Sequence, residues 1–132
     1  MSSDKTHAQS LEEGLEVRRA VLGAEHVDRS LAQVSEFSRP LQELVTEYCW
    51  GMVWTREGLP RATRSLLNIA MLTALNRPHE LAVHLRGALT NGVTVAEIQE
   101  TLLQTAVYVG APAALESFRI AESVFKEAGI DV

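Results

Sequence analysis

Apolar positions along the chain recur at three- and four-residue spacing almost everywhere, with hardly any strict alternation, and this predicts helices throughout rather than strands. After a polar start of about ten residues, Ser10 with Glu13 reads as a capping box for a helix carrying Leu11, Leu15, Val17 and Leu22, closed by Gly23. A short helix is expected from His26 to Val34. Ser38 then caps a segment with Pro40 in its first turn and apolar Leu41, Leu44, Val45, Tyr48 and Trp50, which ends in the irregular WTREGL. Pro60 opens the next helix; Leu66, Leu67, Ile69, Ala70 and Leu72 form its apolar side, while Arg61, Arg64 and Asn68 share another face. Pro78 opens a helix with Leu81, Leu85, Ala88 and Leu89 that Gly92 stops. Thr94 and Glu97 form a second capping box, and the helix after it runs to Gly110 and Pro112. A last helix is expected from about Ala113 to Ala128. The expected class is all-α, a compact domain of about six to seven helices spanning residues 1–132, with residues 1–10 flexible.

Bulk properties narrow the function classes. The chain has 132 residues, enough for one core, and no apolar run approaches the roughly 18 residues needed to cross a bilayer. The first ten residues lack the apolar segment and small-residue cleavage site of a secretory signal, so a cytoplasmic location is expected. A net charge of −5 argues against a nucleic-acid footprint, which needs clustered positive charge. A single cysteine, Cys49, allows no internal disulfide and no paired-cysteine redox or zinc motif. No phosphate loop or metal-ligand spacing stands out. The apolar content of the last three helices, with small residues at Gly87, Ala88, Ala111, Ala113 and Ala114, invites packing of subunits against one another; the same residues also suit one internal core.

The most informative stretch is RPHELAVHLRGALTNG, from Arg77 to Gly92, which sets Glu80 and His84 four apart on one helical face. A histidine titrates near neutral pH, and a carboxylate one turn away favours its charged form, so the pair suits proton transfer. Such pairs are also common on solvated faces. His79 points elsewhere and reads as surface; His7 and His26 have no partner at helical spacing.

The segment from Trp54 to Ala121, with its ordered REGL, HLRGALTNGVT and YVGAPAA pieces, resembles the carboxymuconolactone decarboxylase family of the alkylhydroperoxidase-D-like superfamily. Where other branches of that superfamily carry a CxxCxxxH motif, this chain places Arg77 and Glu80 at the two cysteine positions and keeps His84. Thiol peroxidase chemistry, which needs a thiolate attacker, is thereby removed. The resemblance implies cofactor-free decarboxylation of 4-carboxymuconolactone, a dicarboxylate lactone, to the β-ketoadipate enol-lactone in protocatechuate breakdown. For that chemistry His84 is the candidate acid, with Glu80 orienting it or raising its pKa. Arg64, with Arg56 and Arg61, would hold substrate carboxylates, and Trp54 would form a pocket wall. No metal and no cofactor is expected. A ring-like homo-oligomer, often a hexamer, with the pocket near a subunit boundary, is implied as well. The other readings are a relative acting on a different lactone or β-keto acid, and a non-catalytic binding protein of the same fold.

Overall fold

The computed structural model describes residues 4–132, so the first three residues of the expected flexible start lie outside the described residues. Its elements are α1 (His7–Leu22), α2 (Ala24–Ala32), α3 (Arg39–Val45), a π-helical stretch (Thr46–Val53), α4 (Arg61–Leu75), α5 (Pro78–Thr90), α6 (Val95–Tyr108) and α7 (Ala111–Glu127). Seven α-helices and no strand among the described residues make the chain all-α. None of these helices is long and apolar enough to cross a membrane. The chain divides into two compact units, one ending at Arg61 and the other running from Ala62 to Val132.

In the first unit α1 starts earlier than the sequence pattern suggests. Thr6 and Gln9, not Ser10 and Glu13, form the capping box: the Thr6 hydroxyl accepts from the Gln9 amide at 3.1 Å, and the Gln9 side chain accepts from the Thr6 amide at 2.8 Å. The same three-residue spacing is satisfied one turn upstream, which makes residues 7–10 helical and leaves Ser10 buried inside α1. Gly23, at φ 93°, closes α1 through its amide on the Arg19 carbonyl and lets α2 begin at once, two residues before the expected start.

Ser38 does not cap α3 with its side chain. It pairs with Ser35 instead, each hydroxyl accepting from the other's backbone amide at 3.0 and 3.2 Å. The helix expected to continue through Trp50 widens after Val45 into the π-helical stretch, whose i to i+5 bonding is seen again where the Trp54 amide donates to the Cys49 carbonyl at 3.0 Å. The wider turn puts Thr46, Trp50 and Gly51 on one buried face against α1. Glycine is required at this crossing: a Cβ on Gly51 would lie 2.1 Å from the Ser10 carbonyl oxygen, and one on Gly14 2.1 Å from that of Thr46. Val17, Val21, Trp50 and Trp54 fill the core of this unit. Arg18 spans the same region, donating to Gln42 and Thr46 at 3.1 Å, and its burial lowers its pKa while nearby Cys49 opposes the shift.

The second unit is built on Ile69, Leu81, Leu85, Ile98, Leu102 and Val124, all nearly inaccessible to solvent, with α7 packed on α5 and α6. Asn76, at φ 57°, turns the chain from α4 into α5, and Pro78 follows in the first turn of α5. The Thr94–Glu97 capping box forms as the sequence predicts, after Gly92 at φ 85° has ended α5. Gly110, at φ 135°, joins α6 directly to α7, so Pro112 opens the last helix, which starts at Ala111 rather than Ala113. Inside, Thr73 donates to the Ile69 carbonyl at 2.8 Å, which leaves Ser117 as the donor in their 2.9 Å contact.

Candidate functional site

The candidate site is organised by the contact of α4 with α5. On α5 the buried positions Leu81, Leu85 and Ala88 face the core, and His84 lies half-buried on the flank of that face. On α4 Ser65, Ile69 and Thr73 are buried, and Arg64 and Asn68 stand beside them, half-buried and one turn apart. Two side-chain bonds lace the helices together in antiparallel order. Asn91, just past the end of α5, donates from Nδ2 to the Ser65 hydroxyl at 3.0 Å. Asn68 Nδ2 reaches His84 Nδ1 at 3.4 Å.

The predicted residues separate in this geometry. His84 is fixed between a core face and the polar flank of α4. Glu80 lies one turn before it on the same helix and is exposed. Arg64 is the cation that shares a face with Asn68, the residue touching His84. Arg61 begins α4 and is exposed. Arg56 and Trp54 belong to the first unit. Arg56 is exposed in the turn after the π-helical stretch. Trp54 is 7% exposed and stacks on Trp50 with ring centroids 4.8 Å apart. His79 is exposed, as expected.

Asn68 is the residue that sequence reasoning placed on the right face without giving it a task. The signal was its position four residues after Arg64, off the apolar side of α4. Chemically, the cluster offers a guanidinium able to hold a carboxylate, an imidazole able to carry a proton, and an amide within reach of that imidazole. Among the described residues no three His, Cys, Asp or Glu side chains come together as metal ligands would. A groove of about 350 Å³ opens elsewhere in the unit, between α4 and α6, where Leu66, Leu67, Gln104 and Tyr108 are among its walls.

Residues 39–123 match the carboxymuconolactone decarboxylase family. A 4-carboxymuconolactone decarboxylase of Acinetobacter baylyi is 48% identical over 122 residues, covering 92% of this chain and 91% of the relative. A nitrosuccinic acid decarboxylase of Metarhizium robertsii is 43% identical over 131 residues, covering 96% of this chain and 92% of the relative. A third match, a 4-carboxymuconolactone decarboxylase of Pseudomonas putida, is 44% identical over 43 residues, 33% of this chain. A helical scaffold that holds His84 against Asn68, matched along nearly its whole length by decarboxylases, belongs to the carboxymuconolactone decarboxylase family.

Proposed function

We propose that this protein is a carboxy-lyase that decarboxylates 4-carboxymuconolactone in the cytoplasm without a cofactor. The observation that carries the reading is the 48% identity to a 4-carboxymuconolactone decarboxylase across almost the full length of both chains. The substrate's chemistry explains why the protein itself can be sparing. When the ring carboxylate leaves as CO₂, the electrons of the broken bond pass through the ring double bond to the lactone carbonyl oxygen, giving a dienolate. Protonation at the ring carbon next to that carbonyl then yields the enol-lactone of β-ketoadipate. The electron sink lies within the substrate, which removes the need for pyridoxal phosphate or thiamine. What remains for the protein is to hold a dianion, stabilise the developing oxyanion and deliver one proton.

In this reading Arg64 binds a substrate carboxylate, with Arg56 and Arg61 as further cations, and His84 delivers the proton. Glu80, one turn before it on the same helix, is the carboxylate of the pair; Nδ1 of the ring faces Asn68. Trp54 is the proposed pocket wall. Self-association, as a homohexamer, belongs to the same proposal. It is supported by an exposed apolar stripe on α4, Leu67, Met71 and Leu75 at successive turns, and by Val107 and Tyr108 on α6, both more than 80% exposed.

A second reading is favoured by the 43% identity to a nitrosuccinic acid decarboxylase. Nitrosuccinate is also a dianion, and its nitro group accepts the electrons of the broken bond as a nitronate, so the same demands on the protein apply. The experiment is turnover of 4-carboxymuconolactone by the purified protein, followed in the ultraviolet beside His84→Ala. Turnover is expected without added cofactor, and kcat falls by about 10² to 10⁴ in the variant. A folded wild-type protein that turns over nitrosuccinate and leaves the lactone untouched establishes the second reading instead.

A further inference from the structure

We propose that the hollow between the end of α4, the first turn of α5 and the first half of α7 is a second small-molecule site, and that it takes an aliphatic α-amino acid as its zwitterion. The hollow holds about 300 Å³ and lies wholly within the second unit. That is the small end of the range for ligand pockets, which suits a molecule of few atoms. Arg64, Asn68 and His84 are not among its walls, so it is separate from the candidate site described above. The inference does not depend on the decarboxylase reading.

Its walls sort by chemistry. Leu72, Leu81 and Ile120 give an apolar lining, and the hydroxyls of Thr73 and Ser117, each residue 3% exposed, are set into it. Thr73 spends its proton on the Ile69 carbonyl and Ser117 spends its own on Thr73, so toward a ligand the Ser117 oxygen can only accept. Glu116, half-buried and next to Ser117 on α7, is a second acceptor and carries negative charge. The cation is Arg77, in the turn between α4 and α5. That turn is tied to the pocket's own walls: the Asn76 amide donates to the Thr73 carbonyl at 3.2 Å and the Arg77 amide to the Leu72 carbonyl at 3.0 Å. Arg77 Nη1 reaches the Asn76 carbonyl at 3.3 Å, which leaves most of the guanidinium's donors for a ligand. Among the described residues neither Arg77 nor Glu116 enters an ion pair, with the other or with any third group. A cation and an anion, both unpaired, on one small apolar hollow are the complement of a molecule that carries both charges and a hydrocarbon side chain. The ligand carboxylate meets Arg77, its ammonium gives protons to Glu116 and Ser117, and its side chain covers Leu72, Leu81 and Ile120. A simple carboxylic acid leaves Glu116 unanswered, and a dianion sets a second carboxylate against it.

The test is methyl NMR of the isoleucines in the full-length protein, titrated with L-leucine. Ile120 is the isoleucine that lines this hollow, and Ile98 lines a different groove and serves as the control. The Ile120 signal is expected to shift and saturate with a Kd of about 1 mM or tighter, while that of Ile98 stays in place. Leucine without its amino group, 4-methylpentanoate, and leucine without its carboxylate, leucinamide, bind about tenfold more weakly or worse, each lacking one charge-assisted bond. In Glu116→Gln the preference for leucine over 4-methylpentanoate falls by about tenfold, and in Arg77→Gln the preference over leucinamide falls by the same factor. Circular dichroism checks the fold of both variants, whose substituted side chains lie outside the core cluster. An Ile120 signal unmoved at about twenty times the expected Kd, equal affinity for the three ligands, or a preference that survives its substitution overturns the proposal.

Discussion

Replacing Gly51 by alanine tests how the first unit is held together. The added Cβ would stand 2.1 Å from the Ser10 carbonyl oxygen and 2.9 Å from its carbonyl carbon, where ordinary contact begins at 3.4 Å. Both neighbours are backbone, so no side chain can swing away. Helix α1 and the π-helical stretch must part by about 1 Å, and a gap of that size forfeits a quarter to a half of each dispersion contact across the interface. Overpacking of this kind costs about 1–3 kcal/mol, and the upper part of that range applies because neither wall is flexible. Alanine's better helix propensity returns about 0.5–1 kcal/mol, leaving a net loss of about 2 kcal/mol. The assay is equilibrium urea unfolding followed by tryptophan fluorescence. Both tryptophans of the chain, Trp50 and Trp54, are stacked in this unit's core and report on it directly. Gly58→Ala is the control, since a Cβ there meets nothing within 4 Å and restricts only the unfolded chain, for an effect within about 1 kcal/mol of zero. Equal stability of the two variants would refute the claim that the helices meet backbone to backbone.

Two further outcomes are expected. Arg64→Ala raises KM for the dianionic substrate by about tenfold or more, the effect of losing one charge-assisted carboxylate bond, with a smaller change in kcat; steady-state kinetics showing a kcat loss at constant KM would place Arg64 in the chemical step instead. Leu67→Glu together with Val107→Glu, both at exposed positions, lowers the mass seen in sedimentation equilibrium while helix content stays constant, and an unchanged mass would remove these helices from the subunit contact.

Much of the fold could be read from local signals because those signals act locally. Thr94 and Glu97 cap α6 with backbone groups three residues away, and Gly92 ends α5 through its own positive φ, so neither needs information from elsewhere in the chain. The misplaced start of α1 is instructive in the same terms. Thr6–Gln9 and Ser10–Glu13 both satisfy the three-residue spacing, and the choice went to the upstream pair because Ser10 is buried where its carbonyl meets Gly51. That contact joins residues 41 positions apart. The widening of the helix after Val45 has a similar origin, since the demand that Thr46, Trp50 and Gly51 face α1 together comes from α1.

The candidate site divides along the same line. His84 and Glu80 were legible because their relation is a property of one helix, and Arg64 with Asn68 shared a face for the same reason. Which residue on α4 would meet which on α5 depends on how those helices lie together, and helical periodicity carries no information about that. A reading from spacing therefore gives His84 the partner on its own helix, a carboxylate four residues away. The structure gives its Nδ1 a partner sixteen residues away, an amide. The exchange matters to the chemistry. A carboxylate would add charge beside the ring, whereas an amide adds none and can meet the ring nitrogen as donor or acceptor. That pairing is the part of the site that arises only when two helices pack, and it brings an uncharged hydrogen-bonding group to the imidazole that the spacing along one helix could not supply.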